Sequence, residues 1–151
     1  MTPSDAHAAL QADPGIVFID VRDPVEVSFV GHAQGLDANI PVATASRKFN
    51  PKAGRYEMSP NKGFIAQVSA IIQREGGTTD TPVFLICRSG GRSAKAARAL
   101  IGAGYTNVWN LVEGFEGDMN RKSGTRSLNG WRNAGLPWAY KIPADAAWQP
   151  E

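Results

Sequence analysis

Val83-Phe84-Leu85-Ile86-Cys87-Arg88-Ser89-Gly90-Gly91-Arg92-Ser93 decides how this chain folds and where its chemistry sits. Its first four residues form an unbroken apolar run, the pattern of a strand buried on both faces. The one cysteine of the chain follows, in a loop with two glycines and two arginines, and the run from Ala94 to Ile101 after it is helix-like. Backbone N–H groups in such a loop, with the positive end of a helix beside them, favour a thiolate over a thiol. A cysteine at a strand end can be merely a small buried hydrophobe, but that role has no use for two glycines and two arginines. The stretch therefore reads as the holder of an anionic nucleophile, Cys87, with an anionic substrate beside it. Gly90 and Gly91 let the backbone curl around the sulfur, and Arg88 and Arg92 supply forked donors for a small oxyanion. Arg88, Ser89, Gly90, Gly91, Arg92 and Ser93 are accordingly the candidate substrate-binding residues.

Short apolar runs at 16–20, 38–42, 83–86 and 107–111 alternate with helical stretches. Ser4 is expected to cap a helix through Leu10. Asp23-Pro24-Val25-Glu26 starts another, with Asp23 as N-cap, Pro24 at the first helical position and Glu26 closing a capping box; Gly31 ends it. Ser59-Pro60 restarts helix, which shows an apolar face at Phe64, Ile65, Val68, Ile71 and Ile72 and stops at Gly76-Gly77. A short helix is expected near Trp131. This alternation predicts an α/β fold with a mainly parallel central sheet of about four to five strands and helices on both faces. Ligands of such sheets sit beyond the carboxyl ends of the strands, where Cys87 falls.

A length of 151 residues suits one domain spanning 1–151, with a basic, poorly patterned insertion at 43–58 and a turn-rich C-terminal extension at 116–151. Sixteen basic and fourteen acidic side chains leave a net charge of +2, too balanced to make nucleic acid the main partner. A single cysteine excludes an intramolecular disulfide, a dithiol redox cycle and a cysteine-built zinc site, and neither a metal nor an organic cofactor is implied. No stretch approaches the roughly 18 apolar residues of a membrane span. The N-terminus lacks the basic and apolar regions of a secretory signal, so the chain reads as cytoplasmic.

Several residues near the site have plainer uses. Asp20 and Arg22 are expected to make ion pairs that hold neighbouring loops, and Asp23 and Glu26 are explained by capping alone. Lys95 and Arg98 read as a solvated helix face, and the four tryptophans as packing residues. Phe115, in the Glu113-Gly114-Phe115 turn beyond a strand end, is a candidate pocket wall. Acyl transfer would need a histidine base, and neither His7 nor His32 is placed to serve. Phosphoryl transfer and sulfur transfer remain, since both use a lone thiolate in an anion-binding loop.

At these residues the chain resembles the single-domain rhodanese (thiosulfate sulfurtransferase) family, over roughly Ser4 to Trp138. Phe18-Ile19-Asp20-Val21-Arg22-Asp23, continued by Glu26, Gly31-His32 and Asn39-Ile40-Pro41, is similar to the family's first signature. Cys87 to Ser93 is similar to its active-site loop, and Glu113-Gly114-Phe115 with Gly130-Trp131 and Gly135-Leu136-Pro137-Trp138 to its closing pattern. Relatives acting as phosphatases or arsenate reductases carry a loop one residue longer; here Arg92 stands five positions after Cys87, as in the sulfurtransferase form. The resemblance implies that Cys87 takes the sulfane sulfur of thiosulfate, or of another donor, as a persulfide and passes it to cyanide or a thiol. The alternative is a relay module that exchanges persulfide with a protein donor or acceptor and turns over little thiosulfate; a phosphatase or arsenate reductase ranks last. The family's usual short strand before the first helix has almost no room after Met1. It is expected to be lost, or to lie upstream together with any targeting segment.

Overall fold

The computed structural model describes residues 1–150. Its elements run α1 (Pro3–Ala12), β1 (Val17–Asp20), α2 (Pro24–Val30), β2 (His32–Ala33), β3 (Ala38–Asn39), β4 (Ala43–Asn50) and β5 (Arg55–Pro60). They continue as α3 (Phe64–Arg74), β6 (Val83–Ile86), α4 (Gly91–Gly102), β7 (Val108–Asn110), β8 (Met119–Asn120), β9 (Thr125–Arg126) and β10 (Trp138–Ala139). Four strands form the central sheet in the order β3-β1-β6-β7, all parallel. Strands β1 and β6 lie in the middle and pair along their full length, Val17 with Val83 through Asp20 with Ile86. Both are buried at every residue.

Side chains alternate across these central strands, so each strand feeds two cores. Val17, Ile19, Val83 and Leu85 pack with Val68 and Ile72 of α3 and Ala96, Ala97 and Leu100 of α4. Phe18, Phe84 and Ile86 face the other way, onto Ala6 of α1, Phe115 and Trp131. Each such large apolar side chain contributes about 1.5–3 kcal/mol by leaving water. Helices thus cover both faces, as the alternation predicted.

Several local expectations change. The cap of α1 is Thr2, whose Oγ1 accepts from the Asp5 N–H at 3.2 Å, with Pro3 occupying the first helical position that its ring suits. The second apolar run keeps only Ala38–Asn39 as strand; it meets Ile19 and Asp20 of β1 and then runs into Pro41. Residues 43–60 are an antiparallel hairpin, in which Ala43 pairs with Pro60 and Phe49 with Tyr56. Ser59 and Pro60 therefore end a strand and do not start a helix. Asn61 makes the turn, its Oδ1 accepting from Gly63 N–H at 3.0 Å, and α3 begins at Phe64. The segment around Trp131 is a run of turns, held by Trp131 Nε1–H donating to the Pro137 carbonyl at 2.8 Å.

Beneath the carboxyl end of the sheet lies a fully buried ion pair. Arg22 Nη2 donates to Asp20 Oδ2 at 2.6 Å and Nε reaches both carboxylate oxygens at 3.0 Å. Nη2 also donates to the Gly31 carbonyl at 2.8 Å, and the guanidinium lies 4.5 Å from the centre of the Phe115 ring. Burial alone would push the Arg22 guanidinium down, but Asp20, with Glu26 and Glu116 behind it, raises it. The expected structural role of Asp20 and Arg22 is therefore what the geometry describes: the pair ties β1 to the segment after α2. Asp20→Asn should destabilise the protein by about 3–5 kcal/mol, because it leaves a buried charge uncompensated. Chemical denaturation measures this; the double variant Asp20→Leu with Arg22→Met should be less destabilised than Asp20→Asn alone.

Candidate functional site

Strand β6 ends at Ile86 and places Cys87 at the carboxyl edge of the sheet, 1% exposed. The loop turns through Gly90, whose φ of 87° is left-handed, and enters α4 at Gly91. Only glycine suits that conformation, and a Cβ on Gly90 would collide with the Val112 carbonyl. Gly91 is different. It is already helical, and a Cβ there would meet open space. The curl is thus the work of Gly90 alone.

The loop is clamped from the other side of the sheet edge by the turn after β7. Phe115 N–H donates to the Cys87 carbonyl at 2.7 Å, and the N–H groups of Glu116 and Gly117 donate to the Arg88 carbonyl at 3.0 and 3.2 Å. Gly114 permits this approach, since a Cβ there would lie 2.5 Å from the Cys87 carbonyl oxygen. With the carbonyls turned outward to this clamp, the N–H groups of Arg88, Ser89 and Gly90 make no hydrogen bond among the described residues. Those of Gly91, Arg92 and Ser93 belong to the first turn of α4, which a helix leaves without intrahelical acceptors. Ser93 Oγ lies 3.1 Å from Cys87 Sγ and 3.2 Å from the Gly90 carbonyl. One hydroxyl proton serves one acceptor at a time, so an anionic sulfur draws it from the carbonyl.

The two arginines of the loop part company. Arg92 Nη1 and Nη2 donate to Glu26 Oε2 and Oε1 at 2.5 and 2.6 Å, a bidentate pair that joins α4 to α2. Burial would lower the Arg92 guanidinium, but Glu26, and behind it Cys87 and Asp20, hold it above its ordinary value. Burial would likewise raise Glu26, yet the hydrogen bonds and charge of Arg92, the charge of Arg22 and the Asp23 N–H hold it below the ordinary carboxylate range. Glu26 does form the capping box with Asp23, its Oε2 accepting from the Asp23 N–H at 3.3 Å. Capping alone does not explain it: its main partner lies 66 residues away, beyond any local motif. Arg88 is exposed and makes no ion pair among the described residues. It is the free cation of the loop.

Other expected residues fall as follows. Phe115 is fully buried between Arg22 and the core, so it supports the loop from beneath and walls no pocket. Lys95 and Arg98 are exposed on α4. Trp131 is fully buried, whereas Trp109 is 45% exposed and packs little. His7 stands edge-on to Trp131, and His32 is buried with Nδ1 beside the Ala33 carbonyl; neither meets Cys87. Among the described residues no group of three His, Cys, Asp or Glu side chains could hold a metal ion.

Comparison with known proteins places the chain in a family and matches its fold. The family model described as the rhodanese-like domain matches residues 2–120. Thiosulfate sulfurtransferase 16, chloroplastic, of Arabidopsis thaliana is 35% identical over 132 residues, 87% of this chain and 85% of that protein. An uncharacterized Rickettsia prowazekii protein is 38% identical over 80 residues, covering 53% of this chain and 57% of that one. The crystal structure of Rv0390 from M. tuberculosis superposes with a TM-score of 0.73 at 33% identity, over 93% of this chain and 96% of that one.

Two measurements test the loop. Gly90→Ala should abolish the reactivity that the loop confers on Cys87 towards a neutral alkylating agent, whereas Gly91→Ala should leave it close to the parent rate. Stability should respond to acid through Glu26. Its folded value lies below its unfolded one, so the pair stabilises fully above the unfolded range of roughly pH 4–5 and loses that contribution as pH falls through the folded value. Glu26→Gln should therefore be less stable than the parent at neutral pH, and the gap should close below about pH 4, as thermal melts across pH will show.

Proposed function

The chain belongs to the rhodanese-like domain family, and from that premise we propose that it is a sulfurtransferase working through a Cys87 persulfide. The observation that carries the reading is the loop itself: a buried lone sulfur with Ser93 Oγ at 3.1 Å, inside a curl of outward-facing carbonyls and free N–H groups. Such a curl holds negative charge on sulfur without a metal or a histidine. Thiosulfate would enter past Arg88. The Cys87 thiolate attacks the outer sulfur; the S–S bond of thiosulfate breaks, and sulfite leaves with the bonding pair. The outer sulfur now carries the negative charge as a persulfide, beside the N–H groups of residues 88–93. Cyanide or a thiolate then attacks it, the Cys87–S bond breaks, and the thiolate is regenerated.

A second reading has one observation in its favour. Both donors of the Arg92 fork are committed to Glu26, so recognition of the thiosulfate dianion falls on Arg88 and backbone alone. Arg92 then acts as a positioning residue. A single-arginine mouth suits a relay in which a protein supplies or removes the sulfur and thiosulfate is a slow surrogate.

Incubation with thiosulfate should add the mass of one sulfur atom to the intact protein, and Cys87→Ser should show no addition. Arg88→Ala should raise the KM for thiosulfate roughly tenfold, the effect of losing one charge-assisted hydrogen bond of about 1.5 kcal/mol, while reaction with a neutral alkylating agent is unchanged. Aryl phosphate hydrolysis should be absent. Efficient phosphatase activity lost in Cys87→Ser would overturn the assignment.

A further inference from the structure

Two hairpins rise from the carboxyl edge of the sheet, and nothing in the proposed chemistry uses them. The first, β4–β5, leaves the edge strand β3 and is fastened at its root: Val42 N–H donates to the Val21 carbonyl at 3.1 Å, and Ala45 N–H to Asp23 Oδ2 at 2.7 Å. The second, β8–β9, follows the opposite edge strand β7. It directly continues the turn whose N–H groups grip the Arg88 carbonyl, and Arg126 Nη1 donates to the Gly117 carbonyl at 2.6 Å. Cys87 follows β6, which lies between those edges. The cysteine mouth is therefore flanked by both hairpins.

Their composition is one-sided. Residues 43–60 and 119–126 hold Arg47, Lys48, Lys52, Arg55, Arg121, Lys122 and Arg126 against one acidic side chain, Glu57, in a chain whose net charge is only +2. The rest of the chain, including Glu113, Glu116 and Asp118 of the turn before the second hairpin, is net acidic, so the chain's excess of positive charge lies in the two hairpins. Arg47, Lys52, Arg55, Arg121 and Lys122 are all exposed. Phe49, Tyr56 and Met58 are exposed beside them, at 53%, 57% and 40%. Arginine beside aromatic rings and methionine is the mixture enriched in protein–protein interfaces, and the lysines add charge for steering an acidic partner. Base stacking is less well served: Phe49 and Tyr56 meet each other edge to face, 5.6 Å apart with planes at 73°, and present no parallel platform.

The geometry points to these two hairpins as the docking surface for an acidic protein segment that carries the acceptor thiol. The inference rests on the sulfur-transfer reading and names the acceptor class. With Cys87 1% exposed, a macromolecular acceptor must offer its thiol on a slender, extended segment, and acidic residues flanking that thiol would be drawn by the two basic arms. In the step itself the acceptor thiolate attacks the outer sulfur of the Cys87 persulfide. The S–S bond breaks, its pair returns to Cys87 as thiolate, and the acceptor becomes the persulfide.

The test uses three synthetic peptides of equal length, each with one terminal cysteine and flanks that are glutamate-rich, neutral or lysine-rich. Protein loaded with persulfide is mixed with each in a single turnover. The glutamate-rich peptide should discharge the sulfur at least about tenfold faster than the neutral one at low salt, within the range electrostatic steering provides, and 1 M salt should erase the difference. Arg47→Glu with Lys52→Glu and Arg55→Glu, combined with Arg121→Glu and Lys122→Glu, should abolish that preference. Alkylation of Cys87 by neutral iodoacetamide should stay at the parent rate, showing the loop intact. No acidic preference, or a preference that survives the charge reversals, overturns the inference. So does an RNA oligonucleotide that binds the same hairpins more tightly than the acidic peptide. Failure of thiosulfate to load sulfur would count against the sulfur-transfer reading alone. In that case anisotropy of the labelled acidic peptide on the unloaded protein decides the surface: charge-dependent binding supports it and its absence overturns it.

Discussion

The carbonyls of Cys87 and Arg88 point away from the sulfur because the turn after β7 holds them there. Phe115, Glu116 and Gly117 each donate an N–H to one of the two oxygens, and neither backbone could come so close if Gly90 or Gly114 carried a side chain. A peptide unit whose oxygen is fixed outward presents its N–H on the opposite side. The unpaired N–H groups of the loop are therefore a consequence of main-chain packing between two turns that are distant in sequence. The strands that bring these turns together, β6 and β7, are adjacent and parallel.

Charge is organised in layers under that loop. Asp20 and Arg22 neutralise each other where water is excluded, with Phe115 covering one face of the guanidinium. Above them Glu26 and Arg92 form a second pair, partly open to solvent. A buried pair of this kind is weak support for stability in itself, but removing one partner is costly, so each pair locks the segments it joins. The first holds β1 to the segment after α2, and the second holds α2 to α4. The free cation of the loop, Arg88, is left at the surface.

The parallel α/β sheet and the place of Cys87 in it were legible because both are written in short-range pattern. Val83 to Ile86 is apolar without a break, Asp23-Pro24-Val25-Glu26 states its own capping box, and each is read within a handful of residues. The hairpin at 43–60 was not legible. Its register slips between Ala45 and Phe49, and its faces are exposed, so neither alternation nor burial leaves a period-two signal. Ser59-Pro60 looks like a helix start for the same reason: proline at the first turn of a helix and proline ending an edge strand are indistinguishable locally.

By itself the sequence determined that a lone cysteine follows an apolar strand and precedes a helix, in a loop with two glycines and two arginines, since those features depend on residues in contact along the chain. Which of the two loop arginines stays unpaired was decided only by the tertiary structure. Arg88 and Arg92 are equivalent as letters, and nothing near either one marks the difference. Packing α2 beside α4 brings Glu26 across 66 positions to the Arg92 fork, and that single long-range pair turns one arginine into scaffold and leaves the other free.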